Sequence, residues 1–220
     1  MEVAEAVQSK ETVQSKGAQT RRAVLDAAIA RFGREGYRST SVADIARDAS
    51  VGGTVAYAYF PNKEALFLAA VDEDAAGVIG EGLAFAMREP RIQQWPQTLT
   101  FALVAALDRH PLARRLLAGL EPEVTERVLE IPALAELRKA CAERLRNEQA
   151  AGTVRSDIDA VPIANGLVAI MLSLLMSVVQ IGPGAAAVYG DDVAAVFKAA
   201  IEPPSSGRLV ERRQTTSVTS

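Results

Sequence analysis

The chain has 220 residues, of which 49% are hydrophobic, 23% charged and only 5% aromatic. This composition allows a substantial core in one or two domains, and abundant alanine with few aromatic residues favours helices over sheets. A single cysteine, Cys141, excludes an intramolecular disulfide framework and fits a reducing compartment. The polar N-terminus has no apolar signal segment, so we expect a cytoplasmic protein.

The net charge of −3 is the sum of two unlike regions. Residues 16–63 contain eight Lys or Arg against four Asp or Glu, whereas residues 71–201 contain 12 against 17. The charge therefore divides the chain into a basic head, residues 19–66, and an acidic body, residues 67–203. The head is the candidate for contact with nucleic-acid phosphates.

The first residues of the chain differ from those that follow. Residues 1–18 carry no aromatic residue and no helical stripe of apolar side chains, which predicts a disordered arm. From Arg21 onward, apolar side chains recur at spacings of three and four, which predicts an amphipathic helix that Gly36 ends. These side chains are Leu25, Ala28, Ile29 and Phe32.

A second, shorter helix is predicted by its start signal. Ser41 followed by Asp44 resembles a capping box, in which the hydroxyl accepts an early backbone N–H and the carboxylate reaches back. This helix should end near Asp48 and lead into a tight turn.

The next stretch, VGGTVAYAYFPNK at residues 51–63, is ambiguous. Its β-branched and aromatic residues favour a strand, but no other segment in the first 70 residues alternates with period two to pair with it. A helix here would instead complete a helix-turn-helix arrangement as its recognition helix. In that helix Ala56 and Phe60 would face the core, while Thr54 and Tyr57 would face outward.

Two glycines open the predicted recognition helix. Without side chains, Gly52 and Gly53 would allow the positively polarised amides of its first turn to approach phosphates or base edges. The alternative is an ordinary Gly-Gly turn. Tyr57 is predicted to donate to phosphate, and for Tyr59 a core position and a DNA contact are equally favoured.

The stretch TSVADIARDASVGGTVAYAYFPNKEAL, residues 40–66, resembles the DNA-binding region of the TetR family of bacterial transcriptional regulators. The resemblance extends without a gap from about Thr20, and residues 54, 55, 56 and 58 depart from the usual family pattern. It implies that Lys63, at the start of the fourth helix, binds backbone phosphate. The predicted DNA-binding residues are Thr40, Ser41, Gly52, Gly53, Thr54, Val55, Tyr57, Tyr59 and Lys63.

Helical patterns continue in the body, at 64–88, 97–109, 111–120 and 123–150. The following stretch, 160–190, has no charged residue and could be a membrane span. Polar interruptions, acidic flanks and the lack of Lys, Arg or Trp anchors argue against a span. A helix that is apolar on every side is otherwise buried on every side.

The resemblance implies that the helix at 163–181 and a last helix at 192–201 pack against their copies in a second subunit. The predicted dimer-interface residues are Leu172, Leu175, Val193, Val196 and Phe197. The remaining residues, 204–220, are polar and rich in Ser and Thr, which predicts a disordered tail.

Candidate ligand-binding residues in the body carry no specific motif. The candidates for an effector cavity are Trp95, Phe101, His110, Met171 and Met176, although a core position is favoured for most of the apolar ones. His110 is the only histidine, so no second imidazole could bind a metal with it. No pattern of Ser or Asp partners that would make it a catalytic base is readable in the sequence either. For Cys141 an inert role is favoured over a thiol sensor. No cofactor is expected.

We therefore predict an all-α protein. An N-terminal three-helix helix-turn-helix DNA-binding domain precedes a C-terminal helical domain for ligand binding and dimerisation. The expected function is that of a transcriptional repressor that binds a pseudo-palindromic operator as a homodimer and is released by a small-molecule effector. The alternatives are a helical enzyme, for which no catalytic cluster is visible, and a DNA-binding scaffold whose body has no cavity.

Overall fold

The computed structural model describes residues 2–122 and 130–203, and for residues 2–15, 186 and 187 it describes the backbone only. The described residues form helices and no strand, so the all-α prediction is confirmed. A 3₁₀ turn, Leu107–Arg109, follows the fifth helix. The α-helices are α1 (Glu2–Ser39), α2 (Val42–Asp48), α3 (Gly53–Tyr59), α4 (Lys63–Ala86), α5 (Trp95–Ala106), α6 (Pro111–Leu117), α7 (Pro132–Ala150), α8 (Ala160–Ile181) and α9 (Gly184–Ile201).

Helix α1 is broken near its end by Gly36, as the sequence predicted. Gly36 has φ 84° and ψ 169°, a backbone conformation that side-chain-bearing residues rarely adopt. At the other end the structure differs from the expected arm, because α1 begins at Glu2 and includes residues 2–18. Ala, Glu, Gln and Lys dominate this segment, and their intrinsic helix propensity allows a helix without an apolar stripe.

The head is a small bundle of α1, α2 and α3 that rests on the start of α4. Of the inward residues of α1 that the spacing indicated, Leu25, Ala28 and Phe32 are buried and Ile29 is half-buried; Val24, which the spacing did not include, is buried as well. Ile45 from α2 and Ala56 from α3 complete this core, both with no exposed surface. The segment at residues 51–63 is therefore a helix and not a strand, because its buried residues follow a helical spacing.

The body is built on the long helix α4, against which α5, α6 and α7 pack. Pro132 is the first residue of α7, where a proline needs no hydrogen-bond donor, so the predicted helix at 123–150 begins later. Residues 123–129 and the predicted tail at 204–220 lie outside the described residues. Helix α9 begins at Gly184, eight residues before the predicted Asp192.

Helix α8 is the uncharged helix of the sequence. Of the described helices, it alone is long and apolar enough to cross a membrane by length and composition, and 39% of its most apolar window is buried inside the chain. It packs against α5, α6, α7 and α9. These helices leave one side of α8 exposed, at Gly166, Ala169 and Ser173.

Candidate DNA-binding surface and effector cavity

The start of α2 is set by Ser41. Its hydroxyl accepts the backbone N–H of Asp44 at 3.1 Å and donates to the Asp44 carboxylate at 2.6 Å. The predicted cap therefore forms, but the carboxylate binds the Ser41 hydroxyl rather than reaching back to its backbone. This hydroxyl, together with the neighbouring Arg47 and Arg31, lowers the pKa of Asp44.

The outer face of α3 is polar at its start and aromatic in its middle. Thr54 and Ala58 are exposed, Val55 is 38% exposed, and Tyr57 is 53% exposed. On the opposite face Ala56 is buried in the core of the head, as predicted. The recognition helix thus presents to solvent the residues that would contact a DNA groove.

The two glycines at the start of α3 have no packing requirement within the chain. Gly52 is the N-cap residue and Gly53 the first helical residue, and both are exposed. A Cβ placed on Gly53 would meet no atom within 4 Å, and one on Gly52 would make only ordinary contacts at 3.9 Å. Nothing inside this protomer therefore demands glycine at residue 53.

Two predicted DNA-binding residues are turned toward the protein instead. Thr40 is buried, and its hydroxyl donates to the Gly36 carbonyl at 2.8 Å, so the side chain stabilises the break in α1. Tyr59 is half-buried, and its hydroxyl would lie 3.5 Å from a Cβ on Gly17 of α1. Since both side chains follow the packing of α1, the structure favours a structural role for each.

Lys63 begins α4, directly after the N-cap residue Asn62. The Lys63 ammonium lies 4.3 Å from the centre of the Tyr37 ring, a cation–π contact. The described structure gives this ammonium no carboxylate partner. Its charge is therefore held in place without being neutralised.

The body contains an aliphatic cavity of about 60 Å³. It lies between α4, α6, α7 and α8, and every residue that lines it is Ala, Val, Leu or Ile. None of the five predicted effector-binding residues is among them. The lining residues are Ala75, Val78, Ile79, Leu107, Ala113, Leu116, Leu117, Ile131, Leu134 and Leu172.

His110, predicted as an effector residue, is used to join α4 to α6. Its Nδ1 lies 2.8 Å from the Asp74 carboxylate, and its Nε2 lies 3.3 Å from Glu81. Asp74 is buried and accepts the backbone N–H groups of Leu112 and Ala113, so it caps α6 from another helix. His110 therefore has a structural role at the start of α6.

The other predicted effector residues are dispersed. Trp95 is a core residue with 1% exposure, and Met176 is half-buried against the same core. Phe101, by contrast, is 69% exposed and, with Met171, lines a groove of about 290 Å³ between α5, α8 and α9. Cys141 is buried, which raises the pKa of its thiol to about 12 and makes the thiolate scarce.

The predicted dimer-interface residues divide between the core and the surface. Leu175 is 6% exposed and Leu172 lines the internal cavity, so both belong to the protomer's own core. Phe197 is also buried, and Val193 is half-buried, whereas Val196 is 60% exposed. Leu175 thus packs on the helical neighbours of α8 and Leu172 is half-buried against them, and the place of the two leucines in a dimer interface stays a prediction.

The uncovered face of α8 and α9 is different in composition from the predicted one. On α8 it carries small side chains, Gly166, Ala169 and Ser173, at helical spacing. On α9 it carries Val188, which is 66% exposed, Tyr189 and Val196. We call these six residues the α8–α9 face. Small residues alone do not mark this face in the sequence, because Ala160 and Ala164 of the same helix are buried.

The comparisons with known proteins agree with the geometry of the head. Residues 24–70 match the family model of the bacterial regulatory proteins, tetR family. A curated protein, the uncharacterized HTH-type transcriptional regulator YuxN of Bacillus subtilis, is 42% identical over 45 residues, which are 20% of this chain and 16% of that protein. The curated match thus spans only a small part of the relative.

Solved structures share the whole fold. A TetR-family transcriptional regulator from Cytophaga hutchinsonii has a TM-score of 0.66 at 21% identity, covering 86% of this chain and 98% of that chain. The fatty acid degradation regulator FadR from Bacillus halodurans has a TM-score of 0.57 at 19% identity, covering 82% and 91%.

These findings combine a specific match at the head with a shared fold along most of the chain. Regulators of this family are DNA-binding proteins and not enzymes. The N-terminal domain thus matches the tetR family of bacterial regulatory proteins over residues 24–70, and the all-α fold is shared with solved regulators of that description.

Proposed function

We propose that this regulator is a repressor that binds a pseudo-palindromic operator as a homodimer and leaves it when a small apolar molecule enters the body. The head, residues 19–66, would supply DNA binding, and the body, residues 67–203, would supply dimerisation and the effector site. The protein would act in the cytoplasm, with α8 covered by a second subunit rather than by lipid.

The observation that carries the effector part of the proposal is the position of the aliphatic cavity next to α6. A volume of about 60 Å³ is small against the roughly 300–1,000 Å³ of typical ligand pockets. An effector must therefore push a wall of the cavity outward. Ala113, Leu116 and Leu117 of α6 form part of that wall.

Helix α6 is in direct contact with the head. Gly33 of α1 lies against Pro111 so closely that a Cβ there would be 2.8 Å from it. A displacement of α6 would thus shift α1 and change the distance between the two recognition helices of a dimer. Typical coupling free energies between sites, about 1–3 kcal/mol, would weaken operator binding roughly 5- to 150-fold.

The lining of the cavity indicates the chemistry of the effector. With no polar side chain in the wall, a charged or strongly polar group would lose its hydration without gaining a partner. A neutral molecule with an aliphatic portion fits best. The fatty acid degradation regulator from Bacillus halodurans, which shares the fold, has a name that refers to an aliphatic class of molecule.

The scaffold alternative predicts a body without a cavity, and the aliphatic cavity weighs against it. The α8–α9 face supports the dimer, since it is an exposed surface of apolar and small residues on two adjacent helices.

The function is tested by selecting genomic DNA fragments on the purified protein and sequencing them. We expect a pseudo-palindrome with half-sites about 34–36 Å apart, or a multiple of that distance. Recovery of single asymmetric sites would contradict the dimeric mode of binding. Neutral aliphatic compounds are then screened for binding, measured as a rise in the thermal stability of the protein, and for release of the protein from the selected DNA. If compounds bind but none of them releases the DNA, the effector mechanism is contradicted.

A further inference from the structure

We propose that Arg21 is a phosphate-binding residue that holds the DNA backbone beside the end of the recognition helix. Arg21 precedes residues 24–70, the segment that matches the family model, so the match assigns it no role. The proposal rests on DNA binding by the head and adds a contact to that surface.

Arginines near Arg21 in the head are already paired with carboxylates. Arg22, the next residue, binds Asp26 at 2.9 Å and also Glu73. Three further arginines of the head also form ion pairs with carboxylates. These pairs are Arg31–Asp48, Arg34–Glu35 and Arg47–Asp44. Arg21 is exposed, and no carboxylate of the described residues lies within ion-pair distance of it.

The guanidinium of Arg21 has a defined position over the ring of Phe60. Its central carbon lies 5.1 Å from the centre of the Phe60 ring. Phe60 is the C-cap residue of α3, and with 4% exposure its ring is fixed in the core of the head. The cation is therefore held at the end of the recognition helix by a ring that cannot easily move.

On the Phe60 ring, the guanidinium of Arg21 keeps its N–H donors available. A guanidinium on an aromatic ring is attracted through its charge, and the contact consumes none of its five N–H donors. Those donors remain able to bind the oxygens of a phosphate, in the two-bond geometry that arginine favours. Because the Phe60 ring already restricts the Arg21 side chain in the free protein, less conformational entropy is lost when DNA binds, which favours binding.

Lys63 shows the same arrangement in the same region. Its ammonium lies over the Tyr37 ring and also lacks a carboxylate among the described residues. It follows Phe60 by three residues in the chain. The segment that leaves the recognition helix is thus accompanied by two cations, each held by an aromatic ring and neither neutralised.

A structural alternative is that Arg21 only shields Phe60 from water with its aliphatic stem. The two roles differ in their dependence on salt. If Arg21 binds a phosphate, a counterion is released from the DNA, and the affinity for DNA falls more steeply as the salt concentration rises. If Arg21 only covers Phe60, its removal changes the folding stability of the free protein and not the salt dependence of DNA binding.

The test measures binding of the full-length protein to a duplex of random sequence and to a selected operator, by fluorescence anisotropy at several salt concentrations. Arg21→Gln should reduce the magnitude of the log–log salt slope by about 0.9 for each bound subunit, on both duplexes. At 0.15 M salt this corresponds to roughly a five-fold loss of affinity per subunit. Arg21→Lys should retain most of the slope, since the charge remains.

Arg22→Gln is the matched control, because it removes the same charge from the adjacent residue of the same helix. Its charge is already paired, so we expect a salt slope close to that of the wild type. Equal slopes for Arg21→Gln and the wild type, or equal reductions for Arg21→Gln and Arg22→Gln, would overturn the assignment. Failure of the wild type to bind either duplex would instead overturn DNA binding itself, which separates the two conclusions.

Discussion

The backbone N–H of Tyr37 donates a 3.1 Å hydrogen bond to the carboxylate of Glu121. Tyr37 follows the break in α1, and Glu121 follows α6, so this bond joins the head to the body. Arg115 of α6 also donates to Glu121, at 2.6 Å, and both side chains are largely buried. A Cβ on Gly36 would collide with these two side chains, which explains why glycine lies beneath them.

This link predicts a difference between two adjacent arginines of α6. Arg115→Gln removes the cation that donates to the buried Glu121 at 2.6 Å and should lower the free energy of unfolding by about 1–3 kcal/mol. Arg114→Gln removes a pair with Asp108 in which both side chains are more than half exposed, so its effect should stay within about 1 kcal/mol. Urea denaturation of both variants measures the difference. Equal losses would mean that the Glu121 link contributes nothing beyond a surface ion pair.

A second prediction concerns the glycine that opens the recognition helix. Gly53→Ala adds a methyl group in open space and raises helix propensity by about 1 kcal/mol, so thermal stability should be unchanged or slightly higher. DNA affinity should nevertheless fall, since the methyl group keeps the backbone away from the DNA. If the variant retained both stability and operator affinity, the two glycines would be only a turn.

A third prediction separates charge from hydrogen bonding in the residues that follow. Lys63→Ala should weaken binding to all sequences and reduce the magnitude of the salt slope by about 0.9 per subunit. Tyr57→Phe removes a neutral hydroxyl and should weaken binding without changing the slope. Thr54→Val should alter the base preference at one position of each half-site if its hydroxyl reads a base edge. Salt titrations and selection of bound sequences measure these effects, and a slope change in Tyr57→Phe would contradict the scheme.

A fourth prediction tests the proposed dimer interface on the α8–α9 face. Val196→Glu places a charge on the exposed α8–α9 face and should give folded monomers, because the charge would be desolvated only in the dimer. Leu175→Glu places the same charge in the core of the protomer and should unfold it. Analytical ultracentrifugation with circular dichroism distinguishes the two outcomes. A folded dimer in the Val196→Glu variant would exclude this face.

A fifth prediction follows from the lowered pKa of Asp44. The Ser41 hydroxyl binds the ionised carboxylate, so the folded pKa lies below the ordinary value of 3.8. At pH values between the folded and the unfolded pKa of Asp44, the unfolded chain binds more protons than the folded one. The contribution of Asp44 to folding stability is therefore present above pH 3.8 and disappears as the pH falls through the folded pKa. Asp44→Asn should therefore lower the melting temperature at pH 7, with a difference from the wild type that shrinks below pH 3.8. A difference independent of pH would argue against this origin.

Much of the head could be predicted because its signals are local. The Ser41 cap depends on a residue three positions away, the break at Gly36 depends on one residue's backbone, and the buried face of α3 depends on a spacing of four. Each feature is decided within one or two helical turns, so the order of residues is sufficient to indicate it. The inward packing of Thr40 and Tyr59 was not indicated in this way, since the Thr40 hydroxyl donates to the Gly36 carbonyl and the Tyr59 hydroxyl lies near Gly17 of α1.

The body depended on packing between distant segments. Helix α8 is apolar around most of its circumference, so no periodicity distinguished the side that holds Leu172 and Leu175 from the side that holds Ala169 and Ser173. His110 meets Asp74 across 36 residues, and Arg21 meets Phe60 across 39, distances along the chain at which no spacing rule applies. The sequence by itself determined the all-α class, the helix-turn-helix head and the likeness of that head to a family of regulators. Only the tertiary structure decided which faces are buried, where the cavity lies and which cations remain unpaired, because those properties belong to contacts between helices and not to any one helix.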